Sequence, residues 1–318
     1  MAESGQSFWS EIYKDDFQIE YVFIANVISS GVAFLWVSGI YFESKYKFDK
    51  HLWKEMLKYS LPIMVAGLAF TVNEVFDRIL LDRLLPEDIA KAEIGKYSAC
   101  YKLAVFMTLF GTAFRLGVEP FFFSHANTEN PKKAYAQITN YFVVMGSLIF
   151  LGVMVFIDSL KKLLVRDQAF WEALDVVPII LLASFFLGIY HNLSVWYKVT
   201  DRTRFGAYIS SIGAIITLVI NISLIPKIGY MASAWATLAA YGSMMFLSYY
   251  FGKKYYPVPY NMRKIIFYLS ISLVFSILSF YVFNRNLIAG SILLLLFLGL
   301  VYKMEGDKLR SIFIKRED

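Results

Sequence analysis

The sequence contains few of the residues that hold metals or cross-link a chain. It has one cysteine, Cys100, so no disulfide can form within the chain, and its three histidines, His51, His125 and His191, lie far apart. Metal centres in proteins need several such ligands at short spacing. The sequence therefore predicts neither a metal centre nor a disulfide-stabilised domain.

Charged residues are also scarce, at 18% of the 318 residues, whereas soluble proteins carry about 25%. Hydrophobic residues make up 58% of the chain and the mean hydropathy is +0.54, a composition that indicates a membrane protein. The net charge is +6, but the basic residues stand mainly in short connectors beside apolar runs rather than in one aromatic-rich patch. The expected partner is therefore a phospholipid bilayer and not a nucleic acid.

Nine apolar windows follow one another along the chain. A spanning helix needs about 20 mainly apolar residues, and the windows are 21–42, 59–81, 97–123, 137–158, 174–197, 207–225, 230–251, 264–283 and 287–302. The connectors contain residues such as Pro86 and Pro226, which are expected to turn or end a helix. The sequence predicts an all-α polytopic membrane protein with about nine transmembrane helices.

Lysine and arginine are unevenly divided between alternate connectors, and their excess marks the cytoplasmic side. The connectors 43–58, 124–136, 198–206 and 252–264 and the tail from 303 hold 19 of these residues, whereas the connectors on the other side hold 8. The first set is expected in the cytoplasm, which makes 303–318 a cytoplasmic basic tail and 1–20 an extracytoplasmic acidic segment. That acidic segment lacks the basic start and apolar middle of a cleavable leader.

Residues 43–58 form the connector between the first two windows. Phe48, Leu52 and Met56 recur at four-residue spacing among lysines, which favours an amphipathic helix on the inner membrane surface. An ordinary basic loop is the alternative.

Three stretches carry a resemblance to a known family: "KYSLPIMVAGLAFTVNEVFDRILLDRLLP" (58–86), "GKYSACYKLAVFMTLFGTAFRLGVEPFFF" (95–123) and "NISLIPKIGYMASAWATLAAYG" (221–242). From Tyr21 to about Pro259 the chain resembles the polysaccharide (O-antigen type) flippases of the MATE-like exporter superfamily. The resemblance implies two six-helix lobes around a central cavity, often followed by two extra helices. Residues 21–42 would then be the last helix of the first lobe, 43–58 an interlobe linker, 59–251 the second lobe, and 252–302 a cytoplasmic loop with the two extra helices. About five earlier helices of the first lobe would be missing.

The function that the resemblance implies is flipping of lipid-pyrophosphate-linked oligosaccharide repeat units across the bacterial cytoplasmic membrane, for polysaccharide or lipopolysaccharide biosynthesis. Transport would proceed by alternating access and without covalent chemistry, so no catalytic residue is expected. The implied partners are the lipid-linked oligosaccharide and other polysaccharide assembly proteins.

Two of the windows, 59–81 and 97–123, carry charged residues away from their ends. Such residues are costly at membrane depth and normally face a cavity or a partner. We predict that Arg78, Lys102 and Arg115 line a cavity and bind the pyrophosphate, since arginine holds phosphate oxygens through two hydrogen bonds and lysine adds a point charge. Glu74, Asp77 and Glu119 would be counterions or would couple transport to protons or sodium; no other cofactor is expected. The alternative is that Glu74 with Arg78 and Arg115 with Glu119 form structural ion pairs.

Residues 190–197 contain further candidates. His191 could titrate near neutral pH, and Tyr190, Trp196 and Tyr197 could stack on sugar rings. Packing for the histidine and an interfacial aromatic belt for the other three are the alternatives.

Other functions remain open. A drug exporter of the same superfamily would favour an acidic cavity without the three bases. A membrane polymerase or ligase generally has a large external loop, whereas the longest predicted external connector has about 15 residues. An inactive or partner-dependent fragment is the third alternative.

Overall fold

Helices form almost all of the described chain. A computed structural model of the protein describes residues 20–43, 47–124, 130–165 and 167–314, and no strand occurs in these ranges. The helices are α1 Glu20–Glu43, α2 Lys50–Leu84, α3 Glu87–Tyr101, α4 Val105–Ser124, α5 Pro131–Val155, α6 Ile157–Leu164, α7 Val176–Leu193, α8 Val195–Val199, α9 Arg204–Ile228, α10 Tyr230–Tyr255, α11 Met262–Ile277 and α12 Leu287–Ile314. The predicted all-α class is confirmed. Residues 1–19 of the predicted acidic segment lie outside the described residues, as do the last four residues of the tail.

Seven helical stretches of the described chain are long and apolar enough to cross a membrane: Glu20–Ile40, Glu87–Ser124, Pro131–Val155, Gln168–Val199, Arg204–Ile228, Met262–Val282 and Leu287–Gly306. The protein is therefore a multi-pass membrane protein. The other two predicted windows, 59–81 and 230–251, lie in α2 and α10, which are helical but less apolar. The lower hydropathy of α10 has a physical reason in its packing. The small residues of α10 are buried against α7 and α9, so the buried side of the helix does not need the large apolar side chains that face lipid.

The chain divides into two compact units, residues 1–55 and 56–318. In the first unit, no residue of the spanning window in α1 is buried. Helix α2 starts at Lys50 and continues without a break to Leu84, so residues 50–58 are helical rather than a loop. Leu52 and Met56 in this segment are exposed. The predicted domain boundaries themselves stay a prediction.

Several helix ends differ from the sequence-based expectation. Pro226 does not end its helix: α9 continues to Ile228, and the chain turns at Gly229, whose φ of 56° suits glycine. A 3₁₀ turn at Lys102–Ala104 separates α3 from α4 inside the predicted window 97–123. Proline removes only one backbone donor, and the positive φ at Gly229 is the stronger reason for a helix to stop.

Helix α7 lies in the core of the second unit. It packs against α10, α4 and α5, and most of its residues are buried. Gly146 of α5 faces Phe185, and Gly188 of α7 faces Phe142; a Cβ at either glycine would lie 2.3 Å from the opposing ring. These close contacts hold α5 and α7 together and set the position of His191 near the end of α7.

Candidate functional site

Arg115 of α4 lies between two cavities of the second unit. The first, which we call the tyrosine cavity, has a volume of about 210 Å³ and is lined by Tyr190, Tyr197 and Lys198, among others. The second, the glutamate cavity, has a volume of about 230 Å³ and is lined by polar residues that include Glu74, Thr108, Thr112 and Ser184. Phe70, Arg115 and His191 line both cavities, so the two are adjacent and meet at Arg115.

The guanidinium group of Arg115 is not neutralised by an ion pair within the described chain. No carboxylate of the described chain forms an ion pair with it. Glu119, one helical turn further along α4, instead pairs with Lys198 of α8. The alternative pairing of Arg115 with Glu119 is therefore wrong, and both cations lie near the cavities.

Glu74 and Arg78 do not pair with each other either. The Glu74 carboxylate accepts hydrogen bonds from the hydroxyl groups of Tyr101, at 3.1 Å, and Tyr241. Arg78 donates through Nε to Ser98 Oγ at 3.1 Å and through Nη1 to the backbone oxygen of Glu74 at 3.0 Å. Its guanidinium group also lies 5.2 Å from the centre of the Tyr101 ring. Arg78 thus connects α2 to α3 and lines neither cavity.

Asp77 is at the centre of a buried polar network. Its carboxylate accepts hydrogen bonds from Tyr97 Oη (2.9 Å), Asn221 Nδ2 (2.8 Å) and Thr237 Oγ1 (3.1 Å), while Asn73 accepts one from Thr217. No lysine or arginine of the described residues forms an ion pair with Asp77. A buried carboxylate normally has a cationic partner, so the missing cation distinguishes this network from a structural ion pair.

Of the six charged residues predicted for the site, only some come together. Arg115 and Glu74 line the cavities, Glu119 lies beside a smaller pocket with Arg115, Asp77 is buried in its own network, and Lys102 is exposed in the 3₁₀ turn. Lys102 lines neither cavity, because its side chain is on an exposed side of this helical stretch. Arg78 and Lys102 therefore do not share one site with Arg115.

Sequence reasoning missed Lys198, which it assigned to a connector. The break after α7 at Ser194 and the short helix α8 bring Lys198 to the tyrosine cavity, and no local pattern indicates this. Tyr190 and Tyr197 line the same cavity, and their hydroxyl groups lie 3.0 Å apart. Trp196 is buried and donates to the backbone oxygen of Ser248 at 3.2 Å, so it packs in the core.

Comparison of the chain with known protein families finds one family that matches part of it. Residues 18–114 match the polysaccharide biosynthesis protein family, and the family resemblance seen in the sequence is confirmed over that part of the chain. No curated protein matches the chain.

Two solved structures have a similar helical arrangement. One is a multidrug resistance MATE family transporter of the MOP superfamily in an outward-facing conformation, at 18% identity and a TM-score of 0.48. The other is a MOP superfamily transporter from Pyrococcus furiosus, described as having a binding pocket of reverse polarity, at 17% identity and a TM-score of 0.47. Each alignment covers 70% of this chain and 52% of the other, so the chain spans about half the length of these proteins. At this level of similarity neither structure indicates a substrate.

Proposed function

We propose that the protein takes part in flipping lipid-pyrophosphate-linked oligosaccharides across the cytoplasmic membrane, as a transporter and not as an enzyme. The observation that carries the proposal is Arg115, a cation without an ionic partner among the described residues, at the junction of two cavities that each include polar side chains. The family match over residues 18–114 supports the same class of substrate.

The two cavities suit the two polar parts of such a substrate. Arg115 would hold pyrophosphate oxygens by charge-assisted hydrogen bonds. Tyr190, Tyr197 and Ser210 line the tyrosine cavity with hydroxyl groups that bond one another. A sugar would exchange these hydrogen bonds for its own, while the lipid tail would remain in the bilayer. Transport by alternating access would need a second lobe opposite the unit of residues 56–318.

A cation-coupled drug exporter is the nearest alternative. A cationic drug needs an available carboxylate, but Glu74 is engaged by two tyrosines and Glu119 by Lys198. The available charge at the junction is positive, which favours an anionic substrate.

Arg115→Gln tests this proposal. In lipid nanodiscs, the variant is expected to bind a long-chain polyprenyl pyrophosphate at least about tenfold more weakly than the wild type, because hydrogen bonds to charged groups contribute about 1.5–3 kcal/mol. Arg83→Gln, at the exposed end of α2, is the control and should bind as the wild type does. Equal binding by Arg115→Gln, or tighter binding of a cationic dye than of the pyrophosphate, would contradict the proposal.

We propose further that Asp77 couples transport to a proton or a sodium ion. Its carboxylate is surrounded by the oxygen and nitrogen atoms of three neutral side chains and has no ionic partner among the described residues. Binding of a proton or a small cation would neutralise this charge and change the hydrogen bonds between α2, α9 and α10.

In proteoliposomes that also contain the opposing lobe, Asp77→Asn is expected to remove the stimulation of transport by a sodium or pH gradient. The reason is that an amide does not take up a proton and offers a sodium ion a neutral oxygen in place of a charged one. Asp82→Asn, at an exposed position of α2, serves as the control. If Asp77→Asn responds to both gradients as the wild type does, Asp77 is not the coupling residue.

A further inference from the structure

Lys198 has an unusual partner for its position. On α4, Glu119 follows Arg115 by four residues, the spacing at which opposite charges pair along a helix. Glu119 nevertheless pairs with Lys198, 79 residues away in the sequence. Arg115, His191, Lys198 and Glu119 line one small pocket between α4, α7 and α8.

Resting on the proposed function, we propose that Lys198 is the second anion-binding cation of this site and that Glu119 holds it as an internal counterion, which the pyrophosphate of the substrate displaces. The pair is accessible enough for such an exchange, because the side chains of Lys198 and Glu119 are 22% and 33% exposed. A comparable pair elsewhere, Lys264 with Glu305, has a glutamate side chain that is only 4% exposed.

The chemistry of the substrate fits two cations better than one. A pyrophosphate has oxygens on two phosphorus atoms, so Arg115 can bind one phosphate while Lys198 binds the other. The carboxylate of Glu119 and the phosphate carry charge of the same sign and compete for the same ammonium group. Glu119 therefore lowers the affinity of the site for the pyrophosphate below the value that a free Lys198 would give. A transporter needs a moderate affinity, because it must release the substrate that it binds.

The test uses the full chain in nanodiscs and a long-chain polyprenyl pyrophosphate as probe. Glu119→Gln, which frees Lys198, is expected to bind the probe about two to five times more tightly than the wild type, the range that corresponds to a partly exposed ion pair. Lys198→Gln should bind more weakly than the wild type. The double variant should bind as Lys198→Gln does, because the gain depends on the freed lysine.

Three further variants complete the test. Lys198→Arg keeps the charge and should retain most of the binding. Lys96→Gln removes an ion-paired lysine of similar exposure, 23%, that lines none of the pockets around Arg115, and should leave binding unchanged. Glu119→Ala provides a second way to free Lys198 if glutamine at position 119 prevents folding.

The outcomes separate this inference from the proposed function. If the wild type binds the probe and Arg115→Gln does not, but freeing Lys198 fails to tighten binding, the counterion exchange is wrong and the anion site stands. A gain that persists in the double variant also overturns the exchange. If neither the wild type nor Glu119→Gln binds the probe, both proposals fall.

Discussion

Arg78 and Arg115 illustrate how the surroundings of a residue decide its role. Both arginines lie in windows that the sequence predicts to span the membrane, and both were predicted to bind the substrate. Arg78 is engaged by Ser98, the backbone of α2 and the Tyr101 ring, whereas Arg115 has two cavities beside it and no carboxylate partner among the described residues. We therefore expect Arg78 to contribute to stability and Arg115 to contribute to binding.

Replacing Arg78 with glutamine separates these roles. The variant loses the charge of two hydrogen bonds, to Ser98 and to the backbone of Glu74, and the contact with an aromatic ring. Its free energy of unfolding should therefore fall by about 1–3 kcal/mol. Thermal unfolding in detergent measures the loss, and binding of the polyprenyl pyrophosphate should stay unchanged. A loss of binding as large as that of Arg115→Gln, without a change in stability, would contradict this assignment and would support the original prediction that Arg78 binds the substrate.

At the scale of the element, the contact between α5 and α7 depends on glycines at two positions. Gly146 and Gly188 each leave room for a phenylalanine of the other helix. The position of α7 matters for the site, since His191 lies at the junction of the two cavities. The helices themselves could be predicted from hydropathy, but the sequence contains no local sign of which glycine faces which ring.

Gly146→Ala tests this contact, and Gly152→Ala on the same helix is the matched control. An added Cβ at Gly146 would lie 2.3 Å from Phe185, whereas nothing lies within 4 Å of a Cβ at Gly152. The first variant should lose about 1–3 kcal/mol of stability, the usual cost of overpacking a core. The second should unfold at or above the wild-type temperature, because alanine favours a helix over glycine. Equal unfolding temperatures would contradict the packing of α5 against α7.

At the scale of the whole molecule, the distribution of basic residues predicts which connectors face the cytoplasm. The predicted inner connector 252–264 carries four lysines and arginines, and the predicted outer connector 159–173 carries three. The difference is small for any one pair of connectors and is clear only in the sum over all of them. The orientation is thus a property of the chain as a whole.

Single cysteines measure this orientation. Cys100 is buried, so the wild type should react little with a membrane-impermeant maleimide. Gln168→Cys, at an exposed position that is predicted to be outside, should be labelled in intact cells. Lys253→Cys, at an exposed position that is predicted to be inside, should be labelled only after the membrane is opened. The reverse pattern would invert the predicted topology.

The sequence by itself determined that this is a helical membrane protein, because hydropathy acts over about 20 neighbouring residues and needs no tertiary contact. It also identified Arg115 as a charged residue in a spanning helix, where a charge is costly unless it faces a cavity or a partner. Tertiary structure alone decided the partners. Asp77 accepts hydrogen bonds from residues 144 and 160 positions away, and Glu119 reaches Lys198 in place of Arg115. Such contacts depend on how helices pack, which i, i+4 spacing within one helix cannot specify.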